Sequence, residues 1–287
     1  LSFKKELNEE QGKAVTHTSG PALVLAGAGS GKTRVITYRI AYLLEQKNVE
    51  PYHILAVTFT NKAADEMKER LYSLVKNPIK GIWMGTFHSI CARLLREFAT
   101  ETPYSKNFVI YDTQDQNNLI KNIIKDSGIE EKTLDFYYVH RIISNLKNRL
   151  IDEDEFKPYN YKTEMVKNIY QEYQRRLRAN DAMDFDDLLF NLYTLLDSNK
   201  DVRKKLNNRF KYKLVDEYQD TNPAQYKILK KLSEKCKDIF VVGDDDQSIY
   251  GFRGADINNI LDFEDDFPNS KVYKLERNYR STKRIMD

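Results

Sequence analysis

The sequence predicts an α/β protein built on a parallel sheet, with an inserted all-helical subdomain. Three observations carry that prediction. Short apolar runs alternate with amphipathic helical stretches through about the first hundred residues, helical periodicity with heavy charge runs alone between about 101 and 209, and apolar runs return from 212 onward. Helices between consecutive strands allow parallel pairing, and short apolar strands flanked by amphipathic helices suit a sheet covered on both faces.

Each element has its local reason. ALVLA (22–26) is a short apolar run stopped by glycines, and residues 31–46 place Val35, Ile36, Ile40, Leu43 and Leu44 on one helical face. HILAVTF (53–59) reads as the second strand, with a helix from about Asn61; IWMGTF (82–87) reads as the third, before a helix carrying Ile90, Leu94, Leu95 and Phe98. In the middle stretch the expected helices are 113–127, 135–149, 161–180 and 184–197, the last opened by Asp184 as N-cap. EDEFKPYNY (153–161) is expected as a loop, and FVIY (108–111) is the one apolar run there that could be a strand. Strands return at YKLV (212–215), IFVVG (239–243) and KVYKL (271–275).

A chain of 287 residues makes one large or two ordinary domains. With 46 Lys plus Arg against 43 Asp plus Glu, its net charge of +3 is too small to announce a nucleic-acid partner. No apolar run reaches the roughly eighteen residues of a membrane span, and LSFKKELNEE lacks the apolar core of a signal peptide, so a soluble cytoplasmic protein without a membrane partner is expected. Cys91 and Cys236 form neither a CxxC pair nor a Cys/His cluster at zinc spacing; both read as buried small apolar residues.

The strongest chemical signal is AGAGSGKT, placed between the first strand and the first long helix: Ala26, Gly27, Ala28, Gly29, Ser30, Gly31, Lys32 and Thr33. It reads as a phosphate-binding loop. Glycines let backbone amides converge on phosphate oxygens, the helix amino end adds a favourable dipole, Lys32 reaches the outer phosphates, and Thr33 can ligate Mg²⁺. The general pattern has Gly first, where this chain has Ala26, and the competing reading is a Gly-rich turn without a ligand. Such a loop calls for an acid at the end of another strand, and YKLVDEYQD supplies Asp216 for the Mg²⁺ shell and Glu217 to deprotonate an attacking water. A third cluster, VVGDDDQSIYGFRGAD (241–256), follows the next strand. Its Gln247 is suited to sense a terminal phosphate. Tyr250, Phe252 and Arg253 make either a base-stacking surface or, for the two aromatics, core packing.

These motifs, in this order, resemble the UvrD, PcrA and Rep branch of superfamily 1 DNA helicases over nearly the whole chain. LNEEQ (7–11) is similar to that family's adenine-reading motif. TFTNKAADEMKERL (58–71), GTFHS (85–89), MDFDDLL (183–189), VDEYQDTNPAQ (215–225), GDDDQSIYGFRGAD and LERNYRS (275–281) follow in the family's sequence. The resemblance implies ATP and Mg²⁺ as cofactors. It places Gln11 on the adenine edge, Tyr279 on the base, Arg34 near the nucleotide and Arg280 on the γ-phosphate. For single-stranded DNA it implies Phe59, Asn61, Thr86, His88, Phe185, Tyr250, Phe252 and Arg253. Phe252 stands where the family usually has tryptophan, a smaller stacking surface, and His88 has a capping role as its alternative. RRLR (175–178) and RKK (203–205) offer phosphate contacts or simply solvated faces.

The resulting expectation is the amino-terminal half of a 3′-to-5′ DNA helicase that binds nucleotide but does not unwind alone. Residues 1–100 and 210–278 would form a RecA-like P-loop NTPase lobe, 101–209 the helical insertion, and 279–287 the start of a link to a second lobe. Its partners would be single-stranded DNA, duplex junctions and repair or replication proteins. Two alternatives differ in class: the ATPase portion of a helicase-nuclease subunit, and a non-hydrolysing DNA-binding module, whose mark would be loss of Lys32, Asp216 or Glu217. All three are present.

Overall fold

The computed structural model describes residues 6–27, 29–76, 79–130, 133–234, 238–244 and 258–277. The chain divides into two compact units, one of Leu1–Ile90, Arg203–Thr221 and Leu229–Asp287, the other of Cys91–Val202 and Asn222–Ile228.

The first unit is organised by a six-stranded sheet of β1 (Ala22–Ala26), β2 (Ile54–Thr58), β3 (Trp83–Thr86), β6 (Tyr212–Val215), β7 (Asp238–Gly243) and β8 (Lys271–Leu275), in the order β3-β2-β6-β7-β1-β8. Every pairing in it is parallel, with Val24 opposite Val242 and Ala56 opposite Leu214. The inner strands are largely apolar at consecutive positions and all five residues of β2 are buried, while β8 at the edge exposes Lys271 and Lys274. Val24, Ala56, Leu214 and Val242 share one core with Val35, Ile36 and Ile40 of α2 (Lys32–Glu45) and with Met67 and Leu71 of α3 (Asn61–Leu74). Parallel pairing brings all the carboxyl ends to one edge. The chain leaves β1 for β2 past the places later taken by β7 and β6, while β8 lies on β1's other side, so the strand order reverses at β1; ligands of open α/β sheets bind at such a point.

The second unit holds α5 (Thr113–Asp126), α6 (Phe136–Asn148), α7 (Tyr161–Ala179) and α8 (Phe185–Ser198), close to the ranges expected. Capping boxes set the starts of α5, α7 and α8, Asp112 with Asp115, Asn160 with Thr163, and Asp184 with Asp187, while the Asp135 carboxylate accepts from the Tyr138 amide to start α6. Ile120, Ile123, Val139, Ile143, Val166, Ile169 and Tyr173 form its core. The all-helical expectation needs one correction. β4 (Val109–Tyr111) pairs in parallel with β5 (Ala182–Asp184), the β-branched and aromatic residues of VIY favouring the ladder. Asp181 sets the approach to β5, at φ 47° and with its carboxylate accepting from the Ser105 amide at 2.9 Å.

Arg175, Arg176 and Arg178 of the basic run are engaged by acids of their own unit: Glu172, Asp126 and Glu153. Arg203 pairs with Glu234. Cys91 is buried, which pushes its thiol pKa up, and Cys236 lies outside the described residues. Among the described residues no helix is long and apolar enough to cross a membrane.

Candidate active site at the carboxyl edge of the sheet

The loop after β1 turns back on itself before α2 begins. Ser30 donates to the Gly27 carbonyl from its amide at 3.2 Å and from its hydroxyl at 2.7 Å. Gly31 caps α2 at φ 92°, a left-handed conformation that side chains resist, and a Cβ there would lie 3.0 Å from Gln11 Nε2. No side chain caps α2, so its first backbone amides face the loop with the positive end of the helix dipole. Ala28 lies outside the described residues.

Acids from β6 and β7 meet this loop. Lys32 Nζ lies 3.2 Å from Glu217 Oε2 and 3.5 Å from Asp244 Oδ2. Thr33 Oγ1 donates to Asp216 Oδ2 at 3.3 Å across 183 residues of sequence. Glu217 stands at φ 50°, rare for a residue with a side chain; this turns the chain sharply at the end of β6, leaving Asp216 buried and the Glu217 carboxylate partly exposed. Burial, and then the neighbouring charge of Glu217, push Asp216 up to about 7, against the opposing pull of the Glu217 amide, Lys32 and Thr33. Asp220 rises to about 6 for the same two reasons.

This donor set suits a small hard cation. Among the described residues no three His, Cys, Asp or Glu side chains cluster as a metal site. Mg²⁺ in phosphate-handling sites needs only one or two protein oxygens, completed by phosphate and water, and the adjacent Thr33 hydroxyl and Asp216 carboxylate are such a pair. A carboxylate pushed up to about 7 by burial first and then by a neighbouring acid also gains from an added positive charge.

Gln11 reaches the same loop. It closes the capping box of α1 (Glu9–Val15) with Asn8, and its Nε2 donates to the Ser30 carbonyl at 2.9 Å. Arg34 donates to the Glu6 carbonyl at 2.5 Å and lies over the Tyr38 ring. Of the expected DNA contacts, Phe59 and Asn61 follow β2, while Thr86 ends β3 and His88 follows it. These strands pair with Thr58 opposite Thr86, so the four residues share one end of the sheet edge. Thr86 Oγ1 accepts from the Ser89 amide at 3.3 Å, opening α4 (Phe87–Glu97). In the second unit Phe185, first residue of α8, is 44% exposed. Gln247, Tyr250, Phe252, Arg253, Tyr279 and Arg280 lie outside the described residues.

A model of the UvrD/REP helicase N-terminal domain matches residues 7–268. The chain belongs to that family. It is 51% identical over 285 residues to the ATP-dependent DNA helicase PcrA of Staphylococcus epidermidis strain RP62A, covering 99% of this chain and 39% of the relative. It is 50% identical over 283 residues to the protein of the same name from Staphylococcus aureus strain Mu50, covering 98% of this chain and 39% of the relative. The chain therefore spans about 39% of the length of these curated relatives.

Three residues of this family member join the site without having been singled out from sequence. Asp244 directly follows β7 as Asp216 directly follows β6, and the same strand-end reasoning would have found it. Gln219 and Asp220 belong to the turn after Glu217; Gln219 Nε2 donates to Glu217 Oε2 at 2.9 Å. In the second unit Lys147 is buried against Asp184 and Asp187, directly around Phe185.

Proposed function

We propose that this chain is the ATP-binding part of a longer ATP-dependent 3′-to-5′ DNA helicase, one that translocates on single-stranded DNA and unwinds duplex junctions in repair or replication, in the cytoplasm. The observation that carries the proposal is the convergence of Lys32 and Thr33 with Asp216 and Glu217, within 3.3 Å of one another in pairs. In this reading residues 1–100 and 210–278 make a RecA-like ATP-binding lobe, 101–209 an insertion beside the DNA path, and 279–287 the start of a link to a second lobe. Repair or replication proteins are its partners.

The residues divide the work. The loop from Ala26 to Thr33 holds the phosphates on backbone amides, Gln11 reads the adenine edge, and Arg34 and Tyr279 complete the nucleotide pocket. Thr33 and Asp216 would hold Mg²⁺, which when bound neutralises charge developing on the phosphates. Phosphate oxygens compete with Glu217 for the Lys32 ammonium. Once Lys32 turns to them, the Glu217 carboxylate is released to take a proton from the water that attacks the γ-phosphorus. The bond to the β-phosphate oxygen breaks, leaving ADP and inorganic phosphate, with Gln247 and Arg280 on the γ-phosphate. Phe59, Asn61, Thr86, His88, Phe185, Tyr250, Phe252 and Arg253 carry the DNA strand by stacking and polar contact.

The test is ATP hydrolysis, with and without single-stranded DNA, by this chain joined to its natural continuation. DNA-stimulated turnover is expected, and Lys32→Ala should abolish it. Turnover that survives Lys32→Ala would overturn the assignment.

A further inference from the structure

One buried amide spans the gap between the ends of β6 and β7. Gln219 is 1% exposed. Its Nε2 donates to Glu217 Oε2 at 2.9 Å and to Asp220 Oδ2 at 3.3 Å, while its Oε1 accepts from the Asp244 backbone amide at 3.0 Å. Both ends of the side chain are thus used, by groups only a neutral amide satisfies together. A carboxylate would repel Glu217 and Asp220 and could not donate to them; an apolar side chain would abandon the Asp244 amide in a buried setting.

The surroundings hold the amide in place. The turn Tyr218–Asp220 is anchored by Tyr218, fully buried and edge-on to Phe263 with ring centroids 5.8 Å apart. Asn259 Nδ2 donates to the Thr221 carbonyl at 3.0 Å just beyond the turn. Gly243 makes room, since a Cβ there would lie 3.0 Å from Gln219 Oε1 and 2.8 Å from Ile260 Cδ1. The amide therefore links two points: the carboxylate assigned to water activation and the backbone where β7 ends. In sequence, Asp244 leads directly into the segment that carries Gln247, Tyr250, Phe252 and Arg253.

We propose that Gln219 is a positioning residue that couples Glu217 to the chain leaving β7, so that DNA held by that segment sets the orientation of the water-activating carboxylate. This rests on the helicase reading above. A shift of the Asp244 amide pulls on Gln219 Oε1, and the rigid side chain passes the displacement to Glu217 Oε2 through Nε2. The device needs no charge and no titration, only one side chain hydrogen-bonded at both ends.

The experiment compares Gln219→Met, of similar length but without hydrogen bonding, and Gln219→Glu, isosteric but unable to donate, with the wild type, each in the chain with its natural continuation. Turnover and KM for ATP are measured with and without single-stranded DNA, alongside the affinities for a fluorescent ATP analogue and for an oligonucleotide. The expected result is a fall of about tenfold or more in DNA-stimulated kcat, the usual cost of losing a supporting hydrogen bond, with both affinities held within about threefold. A purely structural role would instead lower nucleotide affinity together with kcat, and that outcome would overturn the coupling. So would undiminished stimulation in Gln219→Met. A measurement on the unaltered protein stands independent of variant folding: hydrogen exchange in the peptide containing Asp244 should change when the oligonucleotide binds, and unchanged exchange overturns the proposal. If the wild type shows no DNA-stimulated turnover, the helicase reading itself fails; a stimulated wild type with unaffected variants removes only Gln219.

Discussion

Replacing Lys147 by methionine keeps the length of a buried side chain and deletes its charge, at a place where the surroundings make that charge matter. The Lys147 side chain is 1% exposed, with Nζ 2.6 Å from Asp184 Oδ2 and 2.8 Å from Asp187 Oδ1; those carboxylates are 3% and 1% exposed. Tyr173 and Gln174 add hydrogen bonds to Asp184 and Asp187 at 3.0 and 3.1 Å. Burial alone would raise Asp184, yet the charge and hydrogen bond of Lys147 outweigh it and hold Asp184 below its ordinary value. Asp187 is pushed up to about 6, by burial first and then by the Asp184 charge. Removing one partner of a buried pair strands the other, so Lys147→Met should cost about 3 to 5 kcal/mol at neutral pH. Its pH dependence has a definite sign. Without Lys147, both carboxylates sit above their unfolded values, so the folded state binds protons that the unfolded state has released, and stability is lost as pH rises through the raised values. The deficit relative to wild type is therefore larger at about pH 8 than at about pH 5, because Asp184 no longer contributes the stability that its lowered value supplies above its unfolded pKa. Urea unfolding followed by far-ultraviolet circular dichroism at both pH values measures it. A loss below about 1 kcal/mol at pH 8, or a larger loss at pH 5, would refute the reasoning.

Asp216→Asn should separate stability from function. The carboxylate, raised to about 7, imposes a penalty absent below its unfolded value and complete above about 7, so the amide should stabilise the nucleotide-free chain by about 2 to 4 kcal/mol near pH 8 and negligibly near pH 4, while abolishing hydrolysis. Thermal melts at the two pH values check this, and a lower melting temperature at pH 8 would contradict it. Phe185→Ala removes a side chain 44% exposed, so the unfolding midpoint should hold while single-strand affinity falls by about 1 to 3 kcal/mol; unchanged affinity would remove Phe185 from the DNA path. Gly31→Ala forces a left-handed φ on a residue with a Cβ and crowds Gln11, costing about 1 to 2 kcal/mol and weakening nucleotide binding; a neutral effect by melting and fluorescence titration would count against the loop geometry.

The inner strands were legible because a parallel sheet buried on both faces leaves apolar runs; β1, β6 and the edge strand β8 match the expected ranges residue for residue, although β8 exposes Lys271 and Lys274. Helices α5 to α8 were legible from their caps. The helix α9 (Lys200–Arg209) was not: KDVRKKLNNR offers only Val202 and Leu206 to a core, too few for a periodic signal. Of the β4–β5 pair, β4 lies within FVIY, the one run there that could be a strand, while β5 escaped because a three-residue strand carries almost no pattern. Within the site, all four of Lys32, Thr33, Asp216 and Glu217 could be read from local motifs, the first two opening α2 and the last two directly after β6. Gln219 could not, since its role depends on β6 lying beside β7, a matter of strand order. Nor could Lys147, which sits on a charged helix 37 residues before Asp184 and meets it only through tertiary packing.

The central claim is that the Lys32, Thr33, Asp216 and Glu217 constellation hydrolyses ATP with Glu217 as the base. Glu217→Gln tests it most directly, because the amide keeps the shape and the reach to Lys32 but cannot take a proton. With Mg²⁺, ATP and single-stranded DNA, the variant should bind nucleotide as the wild type does and release phosphate about 10² to 10⁴ times more slowly. Phosphate release at the wild-type rate would contradict the claim.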